Sequence, residues 1–359
     1  MSASLVGAGW VTPLGSNIGE VWQRLLRGEA AEAENITEEG GERSYRAMKV
    51  PPSALQNLPA HPRLRRASAI SRFAALAGLN AIEEAKSAGV DIDPDRTALI
   101  FAISNGGVIY TRRFYQEIVT AGAASASPIL FPETVFNAPT SHLAALLGLS
   151  GQTYTLVGDG SVGLSALEMA DRLLDQEEID FCLVVGAEEV DWLLCDAYAR
   201  WRLGREPGGM VLSEGAGAVL LSRNSSGKVV LEQAAAAAHS NNRRGLAKQL
   251  ETALRSFPPA PRSIVISSAN GSFIDAPQSA AVAAVLPEAA SYSPKKALGE
   301  SVGASGLWQL IVARQGLLEQ KLPSCSGPEN RMREIDASSA VIISCGLNQG
   351  FSIARLGLS

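Results

Sequence analysis

Apolar residues in this chain fall into short runs separated by Gly-rich turns and by stretches with helical spacing. Residues 4–9 (SLVGAG) read as a first strand, followed by a Thr-Pro-Leu-Gly turn. Asn17 then caps a helix that carries Val21, Trp22, Leu25 and Leu26 on one face and ends at Gly28. Residues 30–65 are polar and irregular and predict a surface excursion. Residues 66–88 place Ile70, Phe73, Ala74, Ala77 and Ala81 at helical spacing and stop at Gly89. Residues 97–103 (TALIFAI) are continuously apolar, which predicts a strand covered on both faces. A Ser-Asn-Gly-Gly turn and a helix with Arg112 and Arg113 come next.

The alternation continues downstream. Residues 142–149 read as a small-residue helix, 153–157 as a buried strand, 158–160 as a tight turn, 162–174 as a helix and 180–186 as a buried strand. Residues 209–221 (GMVLSEGAGAVLL) predict a Gly-kinked strand pair. After a polar turn at 223–228 the pattern restarts: strand character at 229–238 and 263–267, helices at 246–256, 280–286 and 306–318, and strands at 340–344 and 351–356. Strands and helices alternating in this way predict an α/β protein. Both halves run strand, Gly-rich turn, helix, strand, so residues 1–225 and 226–359 are expected to be related halves of one compact unit.

Composition narrows the function classes. The chain has 359 residues, of which 46% are hydrophobic and 19% charged, enough for a large core. Its formal charge is −5, with no long basic run, which argues against nucleic acid as a partner. The four cysteines (Cys182, Cys195, Cys325 and Cys345) show no metal-ligand spacing and no disulfide framework, so a reducing cytoplasm is the expected location and no metal is expected. No Lys or Arg precedes Arg24, so a basic leader is not expected. The uncharged stretch 134–158 is long enough to span a membrane. It carries Asn137, Pro139, His142 and Gln152, which lipid disfavours, and predicts no membrane insertion.

Ordered blocks then carry a family resemblance over nearly the whole chain. "SLVGAGWVTPLGSNIGEVWQRLLRGE", "SNGG", "FPETVFNAPTSHLAALLGLSGQTYTL", "GMVLSEGAGAVLL", "KKALGESVGASG" and "ISCGLNQG" resemble, in order and spacing, the β-ketoacyl synthases of the thiolase fold. The resemblance implies a thiolase-like five-layer αβαβα fold built from two related halves, with no cofactor. The family needs a Cys nucleophile at a strand-to-helix elbow and two His that stabilise a thioester enolate. Matched to those motifs, the nucleophile position falls on Gly160, the first His on Asn270 and the second on Glu300, while the pocket Lys is retained as Lys295. Asp159 and Glu300 put carboxylates where an enolate would build negative charge, so the usual condensation is not expected.

Other residues have bland readings beside sharper ones. Ser161 is either a replacement nucleophile or a helix-start serine, and only three His are available to activate it. His142 reads as a packed, hydrogen-bonded His, and His61 and His239 as solvated ones. Glu188, Glu189 and Asp191 form an acidic cluster for which the resemblance implies structural partners. Cys182 and Cys195 read as core. Cys345 lies before the Gly-Leu turn and is the cysteine that invites labelling. Lys295 is expected to pair with Glu300. Arg63, Arg65 and Arg66 form either a docking patch for an acidic carrier protein or a solvated helix start. Phe131, Val135, Phe136 and Leu347, with Asp159 and Ser161, are the candidate tunnel positions; the two Phe either border a partner or fill the subunit's own core.

The resemblance therefore implies a catalytically altered subunit of the chain length factor type, which pairs with an active ketosynthase and meets an acyl carrier protein in type II polyketide, aryl polyene or fatty-acid assembly. Gly160 departs from the Gln that such subunits often carry. Two alternatives stay open: a thiolase-fold enzyme with changed chemistry on an acyl thioester, and a homodimeric protein that binds acyl chains or carrier protein.

Overall fold

The computed structural model describes residues 2–201, 209–257, 262–323 and 332–359. Cys325 lies outside them. The first half contains β1 (Ala3–Val11), α1 (Ile18–Leu26), β2 (Glu34–Thr37), β3 (Ser44–Met48), α2 (Ala69–Ser87), β4 (Thr97–Ile103), α3 (Val108–Ala121), α4 (Ala138–Leu147), β5 (Thr153–Val157), α5 (Val162–Leu173), β6 (Phe181–Glu188), α6 (Trp192–Arg200), β7 (Leu212–Ser213) and β8 (Gly215–Ser222). The second contains β9 (Val229–Ala234), β10 (Ala238–His239), α7 (Leu246–Ser256), β11 (Ser263–Ile266), α8 (Asp275–Val285), β12 (Ser291–Tyr292), α9 (Lys295–Leu298), α10 (Ser305–Glu319), β13 (Lys321–Pro323), β14 (Met332–Glu334), β15 (Ser339–Cys345) and β16 (Gly350–Leu358).

The strand order repeats. The first sheet runs β5-β4-β6-β8-β1 and the second β12-β11-β15-β16-β9. In each, the first three strands of the run are parallel and the next two alternate in direction. The two sheets meet at one short junction, where Ala3 and Ser4 of β1 pair with Leu231 and Val230 of β9. Between the sheets lie α5 and α10, which touch strands of both. Helix α2 covers the outer face of the first sheet and α7 and α8 that of the second. This gives the five layers αβαβα.

Sequence explains most of these placements. A middle-layer helix must be apolar all round, because sheets cover it on two sides. Helix α10 is accordingly buried over most of its length, with Leu307, Trp308, Ile311 and Val312 inaccessible. Its one buried amide, Gln309, donates through Nε2 to the Ser267 and Ile343 carbonyls at 2.8 and 2.7 Å. That bond ties together the ends of β11 and β15, from which the site loops depart. Helix α2 starts where the Ser68 hydroxyl accepts the Ser71 N–H and stops at Gly89, which has φ +83°.

Some expectations need correcting. Residues 30–65 are not wholly irregular: β2 and β3 form a hairpin that β7 extends. The strand at 153–157 is not buried but half-exposed, because β5 is the outermost strand of its sheet. The apolar stretch from 229 yields a strand only to Ala234, and α8 begins at Asp275, ahead of its apolar positions. Among the described residues no helix is long and apolar enough to cross a membrane.

Candidate functional site

Strand β5 ends at Val157, and the chain turns through Gly158, Asp159 and Gly160 into the mostly buried helix α5. This is the elbow on which the family resemblance leads one to expect a nucleophile. At Gly160 a Cβ would lie 2.6 Å from the Cys345 carbonyl oxygen and 3.3 Å from the Gly346 Cα. Both neighbours are backbone, and the Gly160 carbonyl is itself held by the Ser344 hydroxyl at 2.5 Å. No side chain of any kind fits there unless the 345–346 backbone moves. Position 160 is therefore closed as well as empty of a thiol.

Asp159 explains why that backbone is held. Its Oδ2 accepts the Asn348 N–H at 3.1 Å, and its Oδ1 accepts the Ser161 hydroxyl at 3.3 Å and the Ser161 N–H at 3.4 Å. A Cβ on Gly346 would fall within 2.0 Å of the Asp159 carboxyl atoms, so a side chain there would push this carboxylate out of its present place. Ser161 is buried, and its hydroxyl is spent on this carboxylate rather than aligned with an imidazole.

The other motif positions converge on one buried cluster. Lys295, on α9, donates from Nζ to Glu300 Oε2 at 2.8 Å and to Ser268 Oγ at 2.9 Å. Asn270 Nδ2 donates to the same Glu300 oxygen at 2.7 Å and also approaches the Met210 sulfur at 3.6 Å. The Lys295 and Glu300 side chains are 1% and 3% exposed. Ser268 links this cluster to the elbow: its hydroxyl accepts the Cys345 N–H at 3.0 Å, and the Cys345 carbonyl packs on Gly160. Gly160, Asn270, Lys295 and Glu300 thus lie on one continuous set of contacts. Glu300 Oε1 is buried without a partner among the described residues. A cation and an amide already share the one carboxylate oxygen, so the cluster neutralises itself and has no free imidazole-like donor to offer an oxyanion.

Ser268 escaped the sequence reading, although it sits at the end of an apolar strand two residues before the motif Asn270. Cys345 is a correction to that reading. It is 1% exposed, and burial pushes its thiol up to about 12, which removes the thiolate that labelling would need. Burial similarly pushes Cys182 up to about 12 and Cys195 up to about 11.

Two of the three acidic residues are structural, while Glu189 Oε1 is buried without a partner among the described residues. Glu188 accepts N–H groups of Ser104 and Asn105, and Asp191 caps α6 through the Leu193 N–H. Burial raises Glu188 to about 8 and Glu189 to about 7. His142 is half-buried and bonds Glu133 at 2.5 Å. Burial acts to raise the Glu133 pKa, but the His142 and Ser68 hydrogen bonds outweigh it and hold the carboxyl below its ordinary range. His61 accepts the Arg63 N–H at 3.3 Å, and His239 is exposed.

The tunnel candidates divide. Leu347 is half-buried against the clusters around Cys345 and Val190. Phe131 and Phe136 are 56% and 44% exposed, and Val135 is 39% exposed, so none of the three fills this subunit's own core.

Comparison with known proteins places the chain. The family described as "Beta-ketoacyl synthase, N-terminal domain" matches residues 4–227. The 3-oxoacyl-[acyl-carrier-protein] synthase 2 of Vibrio cholerae is 22% identical, over 91% of this chain and 88% of its own. Nodulation protein E of Rhizobium leguminosarum bv. trifolii is 24% identical over 60% of this chain and 57% of its own. Among solved structures, the ishigamide ketosynthase/chain length factor superposes with a TM-score of 0.84 at 20% identity, covering 100% of this chain and 99% of that one. The ketosynthase ApeO in complex with its chain length factor ApeC, from Xenorhabdus doucetiae, superposes at 0.82 with 17% identity, covering 100% and 98%. These likenesses establish the thiolase-type fold. With the family match spanning well over half of its length, the chain belongs to the β-ketoacyl synthase family.

Proposed function

We propose that this protein is a catalytically altered ketosynthase-like subunit of the chain length factor type, which pairs with an active ketosynthase and shapes the product that the pair builds from carrier-bound acyl units. The observation that carries this reading is position 160, which has neither a thiol nor the space for one. On the motif match, Asn270 and Glu300 take the positions of the enolate-stabilising His, a reading supported by their meeting in one buried cluster in which Glu300 neutralises Lys295. An enzyme with changed chemistry on a thioester is less well supported, because Ser161 donates to Asp159 and lies in no nucleophile–base arrangement among the described residues. We take residues 1–225 and 226–359 as the two halves of the unit, a division supported by the repeated strand order.

The partner surface follows from exposure. Strand β5 is an open sheet edge; Val157 on it, and Ile129, Phe131, Val135 and Phe136 in the segment that precedes α4, are large, apolar and exposed. An unpaired edge with apolar neighbours is a template for association. We assign this face to the ketosynthase partner, with self-association as the second reading. Co-expression with the candidate ketosynthase partner should yield a stable heterodimer that elongates acyl chains, while the chain alone does not. Shrinking Phe136 to Ala in that complex should lengthen the products or broaden their distribution. An unchanged product profile from an intact complex would overturn the chain-length role, and a chain that forms only homodimers would favour the second reading.

A further inference from the structure

A cleft of about 470 Å³ opens at the end of the molecule opposite the elbow. Its origin is the junction between the sheets. Strand β1 pairs with β9 only at Ala3 and Ser4 and then diverges, and a bulge displaces Val6 from the ladder with β8. The gap is walled by Leu5, Val6, Val90, Val229 and Leu318. In strand register it lies beside Leu221 of β8, whereas the elbow side is marked by Gly215 of the same strand, roughly 20 Å away.

Three charged groups face the cleft: Glu84, Lys228 and Arg314. Glu84 is already committed. Its Oε2 accepts the Ala8 N–H at 2.6 Å and its Oε1 accepts Arg314 Nη2 at 2.9 Å. The Arg314 side chain is only 11% exposed, yet its Nε and Nη1 have no partner among the described residues. The exposed Lys228 ammonium has none either. One carboxylate against two cations leaves an excess positive charge inside a mainly apolar cleft, next to guanidinium donors that match a carboxylate fork.

We propose that this cleft is a second ligand site, which binds a small amphipathic carboxylate: the carboxylate on Arg314 and Lys228, and a short alkyl chain along Leu5, Val90 and Leu318. The volume is in the range of small-molecule sites. This site is distinct from the elbow and does not depend on the chain-length role.

Calorimetric titration of the full chain with sodium octanoate tests it. Saturable binding is expected. Arg314→Met should weaken it at least tenfold, Lys228→Gln severalfold, and 1-octanol should not compete. Ala88→Trp, at an exposed position on the rim, should close the cleft and abolish binding. Because Arg314→Met also breaks the pair with Glu84, its fold is checked by thermal melting. If it does not fold, Lys228→Glu and Ala88→Trp decide. Octanoate binding that survives the folded variants would place the ligand elsewhere and overturn the proposal. Equal affinity for 1-octanol or for inorganic phosphate would also overturn it, since the site needs both the charge and the chain.

Discussion

Gly160 is the position at which chemistry and packing coincide. On the motif match we propose, installing a nucleophile by Gly160→Cys should fail twice over. Its Cβ would collide with the Cys345 carbonyl, costing roughly 1–3 kcal/mol of stability as overpacking does. The new thiol would also have no imidazole partner, since Asn270 and Glu300 stand at the proposed His positions. Denaturant unfolding reads the first effect, and intact-protein mass spectrometry after incubation with an acyl thioester reads the second. Acylation with robust elongation by that variant would refute the closed elbow. The Lys295–Glu300 pair gives a complementary test. Truncating one partner of a buried ion pair strands the other charge, so Lys295→Met should cost about 3–5 kcal/mol. The double variant Lys295→Met/Glu300→Leu should recover most of that loss, because no charge is then left buried alone.

At the scale of elements, the end of β6 carries a pH dependence. Carboxyls ordinarily titrate near 4.5, while burial lifts Glu188 to about 8 and Glu189 to about 7. Between pH 4.5 and 8 the folded chain therefore holds more protons than the unfolded chain. Stability is fully present at the acid end of that window and falls as pH rises through it. The melting temperature should be higher at pH 6 than at pH 8.5. Glu188→Gln, which can still accept the Ser104 and Asn105 N–H groups, should flatten the slope, and an unaltered slope would show that the titration lies elsewhere. The elements themselves were legible to different degrees. Strands β4 and β6 and helix α5 follow from apolar runs and Gly turns. The hairpin of β2 and β3 did not, because its strands are polar and one of them is almost wholly exposed, so alternation carries no signal. Strand β5 looked buried by composition and is an open edge, since sheet order is not written in a single strand.

For the whole molecule, the exposed apolar face around β5 predicts its assembly. Val157→Asp places a charge in the middle of that face, at a side chain already exposed and so without cost to the subunit's own core. It should prevent co-purification with the proposed ketosynthase partner while leaving the melting temperature of the isolated chain within a degree or two. Analytical size exclusion at micromolar concentration distinguishes the outcomes. Retained assembly would move the interface to another face.

Much of this protein follows from the order of its residues alone. The motif blocks point to the family, and they lead us to propose Gly160, Asn270 and Glu300 as its altered positions, because local turns and helix starts demand particular residues at particular spacings. The repeated strand–turn–helix pattern likewise leads us to propose two related halves, in keeping with the repeated strand order. Tertiary structure decided the rest, since it depends on residues distant in the chain. Only the fold brings Cys345 against Gly160 and closes the elbow, lets Asp159 rest on Gly346, and gives Glu300 both Lys295 and Asn270. The same holds for the seam cleft: Arg314 and Glu84 are 230 residues apart, and their meeting depends on where β1 parts from β9.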